Sequence, residues 1–214
     1  MNLATTDIRN AIVSLQPENQ RVEASLNAAD AKLGDGDTGT MIARLLQEFA
    51  DVEATNDMTV GAYFTAIAMA GAKSTGSSLG TLIVGALMAV GTCTRDRHVI
   101  NSTEIADLIE IARTTVQNLG NAQPGDKTII DSLNHIETAL RTEDGQRRPL
   151  KTAHDAAVIA LDTFRSQPNR IGRARIFEEK SRGLDDPGML AVALLLRALS
   201  DAATDRAEKT ARSR

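Results

Sequence analysis

Asp30-Ala31-Lys32-Leu33-Gly34-Asp35-Gly36-Asp37-Thr38-Gly39-Thr40 is the stretch that organises this chain. Before it, Val22, Leu26, Ala29 and Leu33 recur at helical spacing; after it, Ile42, Leu45, Leu46 and Phe49 do the same. Asp30 therefore belongs to the last turn of one helix. Asp35 and Asp37 belong to the glycine-punctuated turn into the next, and glycine allows the tight, positive-φ geometry such a turn needs. Three carboxylates this close repel, so one of them is expected to hold its proton unless a cation is present. Carboxylate-only ligation suits a hard divalent ion, Mg²⁺ before Ca²⁺. The plainer reading is a turn with a helix cap. An EF-hand is excluded, because the glycine and closing glutamate do not fall at the required offsets.

The same periodicity outward from this stretch predicts an all-α chain. Helices are expected over 8–15, 17–33, 38–54, 60–72, 79–93, 102–119, 128–140, 150–164 and 187–203, with Ser102 or Thr103 and then Asp186 as caps. No alternating strand pattern stands out. The result is a bundle of eight or nine helices whose short connections imply antiparallel neighbours. In such an up-and-down array every second loop lies at the same end. The loops over 34–38, 73–78, 120–127 and 167–187 carry Gly, Ser, Thr, Asp and Arg; those near 55–59, 94–101 and 142–149 are plain. Counting helices puts the four chemical loops on one rim.

Composition narrows the class. The 214 residues are 42% hydrophobic but only 2% aromatic, which favours close-packed helices and leaves few platforms for base stacking. A net charge of −4 argues against a nucleic-acid partner. Cys93 is alone, so no intrachain disulfide forms and a reducing, cytoplasmic setting fits. The longest apolar run is read near 82–90, too short for a bilayer. A single domain is expected over 1–205, with a frayed tail over 206–214.

Each of the other loops has a plain and a chemical reading. Ser74, Thr75, Gly76, Ser77 and Ser78 open a helix whose free N–H groups suit a phosphate, though Gly/Ser junctions also serve close packing. No Walker sequence is present. Asp126 can cap the following helix, and Lys127 can reach an anion or a loop acid. Arg173 follows Gly172 as a guanidinium aimed at phosphate could, whereas Arg170 and Arg182 read as solvated. His98, His135 and His154 fall outside these loops and read as surface or packing residues. Acids, N–H groups and arginine on one rim are the equipment of phosphoryl transfer.

Asp30-x4-Asp35-Gly36-Asp37-x-Gly39, Pro124-Gly125-Asp126-Lys127-Thr128, Gly172-Arg173-Ala174 and Asp186-Pro187-Gly188 together resemble the L subunit of dihydroxyacetone kinase, over nearly the whole chain. The resemblance implies an antiparallel eight-helix barrel with nucleotide at one end. It implies that Asp30, Asp35 and Asp37 hold two Mg²⁺ ions bridging the phosphates of ADP or ATP. Thr38, Gly39, Thr40, Met41, Ser74, Thr75 and Gly76 would lie beside the phosphates with Arg173; Gly120 and Ile129 would line the nucleotide; Asp186, Pro187 and Gly188 would close the pocket. It further implies a sugar-binding K subunit as partner, to whose short ketose the γ-phosphoryl passes. The nucleotide is either free ATP or a bound ADP recharged by a phosphotransferase-system protein, and a homodimer is left open. Thr38 stands where the family often has His, Lys73 replaces a glycine, and Arg175-Ile176-Phe177-Glu178 replaces Ser-Tyr-Leu-Gly. Arg182 and Leu184 also depart from the family's residues before Asp-Pro-Gly. A non-catalytic ADP/ATP sensor, or the nucleotide domain of a fatty-acid-kinase-like system, shares the same motifs.

Overall fold

The computed structural model describes residues 2–212. The chain runs β1 (Asn2–Ala4), α1 (Thr5–Val13), α2 (Asn19–Asp30), α3 (Thr38–Ala50), α4 (Val60–Ser74), α5 (Ser78–Cys93), β2 (Val99–Asn101), α6 (Ile105–Gly120), α7 (Ile129–Leu140), α8 (Glu143–Arg147), α9 (Pro149–Arg165) and α10 (Pro187–Arg212). Each of α2, α3, α4, α5, α6, α7, α9 and α10 packs on the next, and α10 returns to α2. The ring is thus closed by eight helices, each packed on its neighbours in chain order, as in an up-and-down bundle.

The stripe read from the sequence is the one that closes this ring. On α3, Ile42 and Leu46 pack with Val22 and Leu26 of α2, while Leu45 and Phe49 pack with Tyr63 and Ile67 of α4. Fully burying a leucine of this kind contributes about 2 kcal/mol. Small residues bring the other helices close. On α9, Ala153, Ala156, Ala157 and Ala160 are buried against α6, α7 and α10.

Gly39 is a packing residue of this type. A Cβ there would overlap the Glu23 carbonyl oxygen of α2 and lie 2.7 Å from Asn27 Oδ1. Thr40 follows it onto the same face, its N–H donating to Asn27 Oδ1 (3.1 Å) and its hydroxyl to Glu23 Oε1 (2.8 Å).

Several boundaries differ from expectation for local reasons. Pro17 lies in a 3₁₀ turn, Gln16–Glu18, ahead of α2 rather than in its first turn. Asn101, with Glu104, caps a 3₁₀ turn that precedes α6, displacing the cap expected at Ser102 or Thr103. β1 and β2 pair antiparallel, Leu3 opposite Ile100, at the end carrying the plain loops. Strands of three residues are too short to show alternation.

The longest apolar segment is in α10, not at 82–90: Pro187–Arg206 is long and apolar enough, by length and composition, to cross a membrane. In this fold it is a core helix. Its Met189, Ala191, Ala193 and Ala198 are buried against the neighbouring helices. Residues 213–214 of the expected tail lie outside the described residues, and α10 continues through most of the rest.

Candidate functional site

Helix α2 ends at Asp30 and the chain turns through Gly34 and Gly36, the latter with φ +78°, before α3 begins at Thr38. The Asp30 carboxylate is buried. Its Oδ2 accepts the N–H groups of Asp37 (2.9 Å) and Thr38 (3.2 Å). Its Oδ1 lies over Gly34, where a Cβ would approach to 2.7 Å. So Asp30 caps α3 with one oxygen and keeps the other for a ligand, and glycine at 34 keeps that oxygen clear.

Asp35 and Asp37 are exposed beside it. One carboxylate oxygen from each of Asp30, Asp35 and Asp37 lies within 4.8 Å of the others. Three oxygen donors at this spacing fit a hard divalent cation, so the cluster can coordinate a metal. The expected repulsion is visible in the protonation of the pair. Desolvation, the hydrogen bond to Asp35 and the Asp35 charge push Asp37 upward. Asp35 falls: desolvation works against the change, but hydrogen bonds to Asp37 and Arg173 outweigh it. Arg173 supplies the positive charge here. Its Nη1 pairs with Asp35 Oδ2 and lies 3.9 Å from Asp37 Oδ1.

The cluster opens onto a cavity of about 180 Å³ lined from all four chemical loops. Asp30, Asp37, Thr38, Met41, Gly120, Ile129, Arg173, Asp186, Pro187 and Gly188 line it. Helices α3, α5, α7 and α10 all begin at this rim, because alternate helices of an up-and-down ring point the same way. First-turn N–H groups lack intrahelical acceptors and carry partial positive charge, so four such ends favour an anion. The remaining wall is apolar: Leu79, Leu82, Val116, Ile130 and Ile171.

Ser74, Thr75 and Gly76 are not among the lining residues; Ser77 and Ser78 take that place. Ser74 instead donates to the Gly71 carbonyl (3.2 Å), and Thr75 accepts the Ser77 N–H (3.4 Å). Ser77 caps α5 through the Gly80 N–H (2.9 Å). None of His98, His135 and His154 lines the cavity. His135 packs edge-on to Phe164, at 5.9 Å between ring centroids.

Two expectations for the third loop need correction. Asp126 does not cap α7; Thr128 does, in a box with Asp131, while Asp126 Oδ2 accepts the Gln123 N–H within the preceding turn. Lys127 is turned into the interior and, among the described residues, makes no ion pair with an acid within 4 Å. It is 1% exposed, and its Nζ donates to the carbonyls of Gln167 (2.8 Å), Ser181 (2.9 Å) and Arg165 (3.3 Å). Burial lowers its pKa, against the raising influence of Asp186 and Asp185. It bolts the fourth loop to the third.

Asp186 holds the other side of that bolt. Its Oδ1 caps α10 through the Met189 N–H (3.0 Å), and its Oδ2 accepts from Asn169 Nδ2 (2.8 Å). Burial pushes its carboxyl up to about 6, against the pull of N–H donors, Lys127 and Asn169. The folded value exceeds the ordinary 3.8, so folding favours the protonated form. That stabilisation is complete below about pH 4 and is lost as pH rises through about 6. Relative to D186N, which cannot titrate, the wild type should lose roughly 2–3 kcal/mol between about pH 4 and 7. Urea unfolding of both chains across that range measures it. A constant difference would refute the assignment.

The family model for the DAK2 domain matches residues 32–201, a span that takes in the acid cluster, all four loops and most of α10. The chain belongs to the DAK2 domain family. Among its relatives, the L-erythrulose kinase of Pectobacterium atrosepticum is 34% identical over 90% of this chain and 36% of its own. The ADP-binding subunit DhaL of the PTS-dependent dihydroxyacetone kinase of Lactococcus lactis is 29% identical over 84% of this chain and 88% of its own. The crystal structure of the dihydroxyacetone kinase of C. freundii superposes with a TM-score of 0.71 at 25% identity, over 91% of this chain and 34% of that one. This DAK2 domain therefore spans about a third of the erythrulose and dihydroxyacetone kinases, and most of the ADP-binding subunit.

Sequence reasoning missed the apolar wall of the DAK2 domain. Its side chains carry the same spacing as core residues, so no signal separates them. Gly172 has a positive φ and a Cβ there would meet nothing within 4 Å, but both facts appear only in the folded chain.

Proposed function

We propose that this DAK2 domain binds a Mg²⁺-nucleotide at its rim, as the nucleotide-binding component of a dihydroxyacetone-kinase-type phosphotransferase system. The observation that carries this reading is the acid cluster and four helix N-termini sharing one cavity. Asp30, Asp35 and Asp37 would hold two Mg²⁺ ions, which when bound neutralise phosphate charge for transfer. The first turns of α3 and α5 offer N–H groups to phosphate oxygens, with Thr38, Ser77 and Ser78 adding hydroxyls. Arg173 supplies a planar donor fork at the mouth. Leu79, Leu82, Val116, Ile129 and Ile171 enclose an apolar base and exclude water. Gly120 leaves room beside Leu82, and Asp186, Pro187 and Gly188 close the far wall.

The proposed acceptor is a short ketose on a K-type sugar-binding partner. Several kinases among the relatives are named for dihydroxyacetone or erythrulose, both small ketoses, and one is a triokinase. The phosphoryl donor is free ATP or an ADP recharged in place by a phosphotransferase-system protein, in a cytoplasmic setting. A second reading, nucleotide sensing without turnover, is favoured by the absence of a histidine from the cavity lining.

The test is calorimetric titration with ADP and ATP in Mg²⁺, followed by turnover assays on dihydroxyacetone. Binding without turnover is expected for the isolated chain, and turnover on adding a K-type subunit. Turnover by the chain alone would remove the need for a partner. Binding that never leads to turnover with any sugar-binding subunit would leave the sensor, and no binding would sink both readings.

A further inference from the structure

Arg173 occupies two places at once: it lines the cavity, and it is ion-paired to the acid cluster through Asp35. The oxygen it engages, Asp35 Oδ2, belongs to a carboxylate that a metal held by all three acids would share. With Asp37 Oδ1 also only 3.9 Å away, the guanidinium stands where incoming positive charge would go. An arginine cannot give up its charge at neutral pH, so while it stays it opposes a cation at these carboxylates. It has somewhere to go. The side chain is 59% exposed, and its backbone follows Gly172, at φ +74° with open space around it.

Ile171 and Ala174 pack on either side of Arg173, and hydrogen bonds pin the loop that carries it at both of its feet. At one, the Arg170 N–H donates to the Asp126 carbonyl (3.1 Å) and Asn169 Nδ2 to the Lys127 carbonyl (3.0 Å). At the other, Arg182 Nη1 donates to the Ser166 carbonyl (2.8 Å) and the Gly183 N–H to the Arg165 carbonyl (2.8 Å). The feet hold the loop over the rim, while a long side chain between them needs only rotamer changes to turn from the acids toward the cavity.

We propose that Arg173 is a built-in counter-ion that competes with divalent metal for the Asp35–Asp37 side of the cluster and yields only when a polyphosphate draws it into the cavity. This rests on the reading of the rim as a nucleotide site. Its consequence is that metal and nucleotide bind as a coupled pair: phosphate gives the guanidinium another partner, and its departure frees the carboxylates. By linkage, metal raises nucleotide affinity by the same factor. The coupling guards the acids against occupation by bare metal.

The test uses Mn²⁺, counted by the paramagnetic resonance of the free ion, with and without ADP. The variants are R173Q, which removes the charge, and R173K, which keeps it. An exposed pair is a weak interaction, so without nucleotide R173Q should bind Mn²⁺ about 3–10-fold more tightly than the wild type. With Mn²⁺ present, R173Q should bind ADP about 10-fold more weakly, because the charge-assisted bond to phosphate is lost. R173K should bind bare Mn²⁺ as weakly as the wild type. Equal or weaker Mn²⁺ binding by R173Q without nucleotide, or R173K matching R173Q, would overturn the counter-ion role while the nucleotide site stands. A wild type that binds no ADP in Mn²⁺ would overturn both.

Discussion

D30N is expected to weaken Mg²⁺-ADP binding by about 100-fold, corresponding to roughly 3 kcal/mol. Asp30 is the only buried member of the acid cluster, and one of its oxygens is already committed to the Asp37 and Thr38 N–H groups. An asparagine can keep its carbonyl oxygen on those N–H groups, which leaves its amide nitrogen facing the place a cation must occupy. The substitution therefore preserves the cap and removes the ligand. Its thermal midpoint should stay near that of the wild type, whereas D30A, which also strips the cap, should unfold more easily by about 1 kcal/mol. Calorimetric titration with ADP in Mg²⁺, repeated in EDTA, separates the two roles. Wild type and D30N should converge once the metal is chelated. If D30N binds Mg²⁺-ADP as tightly as the wild type, Asp30 is a helix cap and nothing more, which is the plainer reading its sequence context also allows.

Why Asp30 was legible and Lys127 was not comes down to what a side chain leaves in the pattern around it. The apolar stripes before and after Asp30 locate it on a helix end, and two further acids within seven residues make a bare turn an uneasy explanation. Helix α3 was readable for the same reason, since Ile42, Leu45, Leu46 and Phe49 point to two different neighbours and all four are buried. The gathering of four loops at one rim followed from helix count alone, because alternation is a property of the topology. Lys127 sits in a polar loop, where a lysine reads as reaching an anion or a loop acid. Only the three carbonyls that meet around its ammonium, two of them from residues about 40 positions further on, show that it is interior. At Gly39 the structure adds a packing reason for glycine that the sequence does not show, because a Cβ there would overlap the Glu23 carbonyl. The 3₁₀ segment Arg173–Ser181 lacks any apolar period and could be read only as a long loop.

K127M should destabilise the fold by about 1–3 kcal/mol. Two effects oppose each other. Removing a buried ammonium abolishes its desolvation cost, and buried charges replaced by apolar side chains are often neutral or better. That outcome requires the partners to be replaced as well, and here they cannot be. The carbonyls of Arg165, Gln167 and Ser181 are backbone groups, and methionine offers them no donor. The Arg165 and Ser181 carbonyls keep the Gly183 (2.8 Å) and Leu184 (3.3 Å) N–H groups, but the Gln167 carbonyl loses its donor at a cost of about 1–3 kcal/mol, and the loop loses its cross-link. Lys127 has φ +60°, and methionine bears the same backbone strain and nearly the same volume, so the comparison isolates the hydrogen bonds. The charge also holds Asp186 down against its burial, so its loss should drive that carboxyl further toward the protonated form. Urea unfolding gives the stability, and hydrogen exchange gives the place: protection should fall first across 165–183, where the bolted carbonyls lie. Because that loop carries Arg173, nucleotide affinity should fall with it even though Lys127 itself is outside the cavity lining. A variant as stable as the wild type, with exchange across 165–183 unchanged, would mean that the loop is held by its own contacts and that the ammonium only fills space.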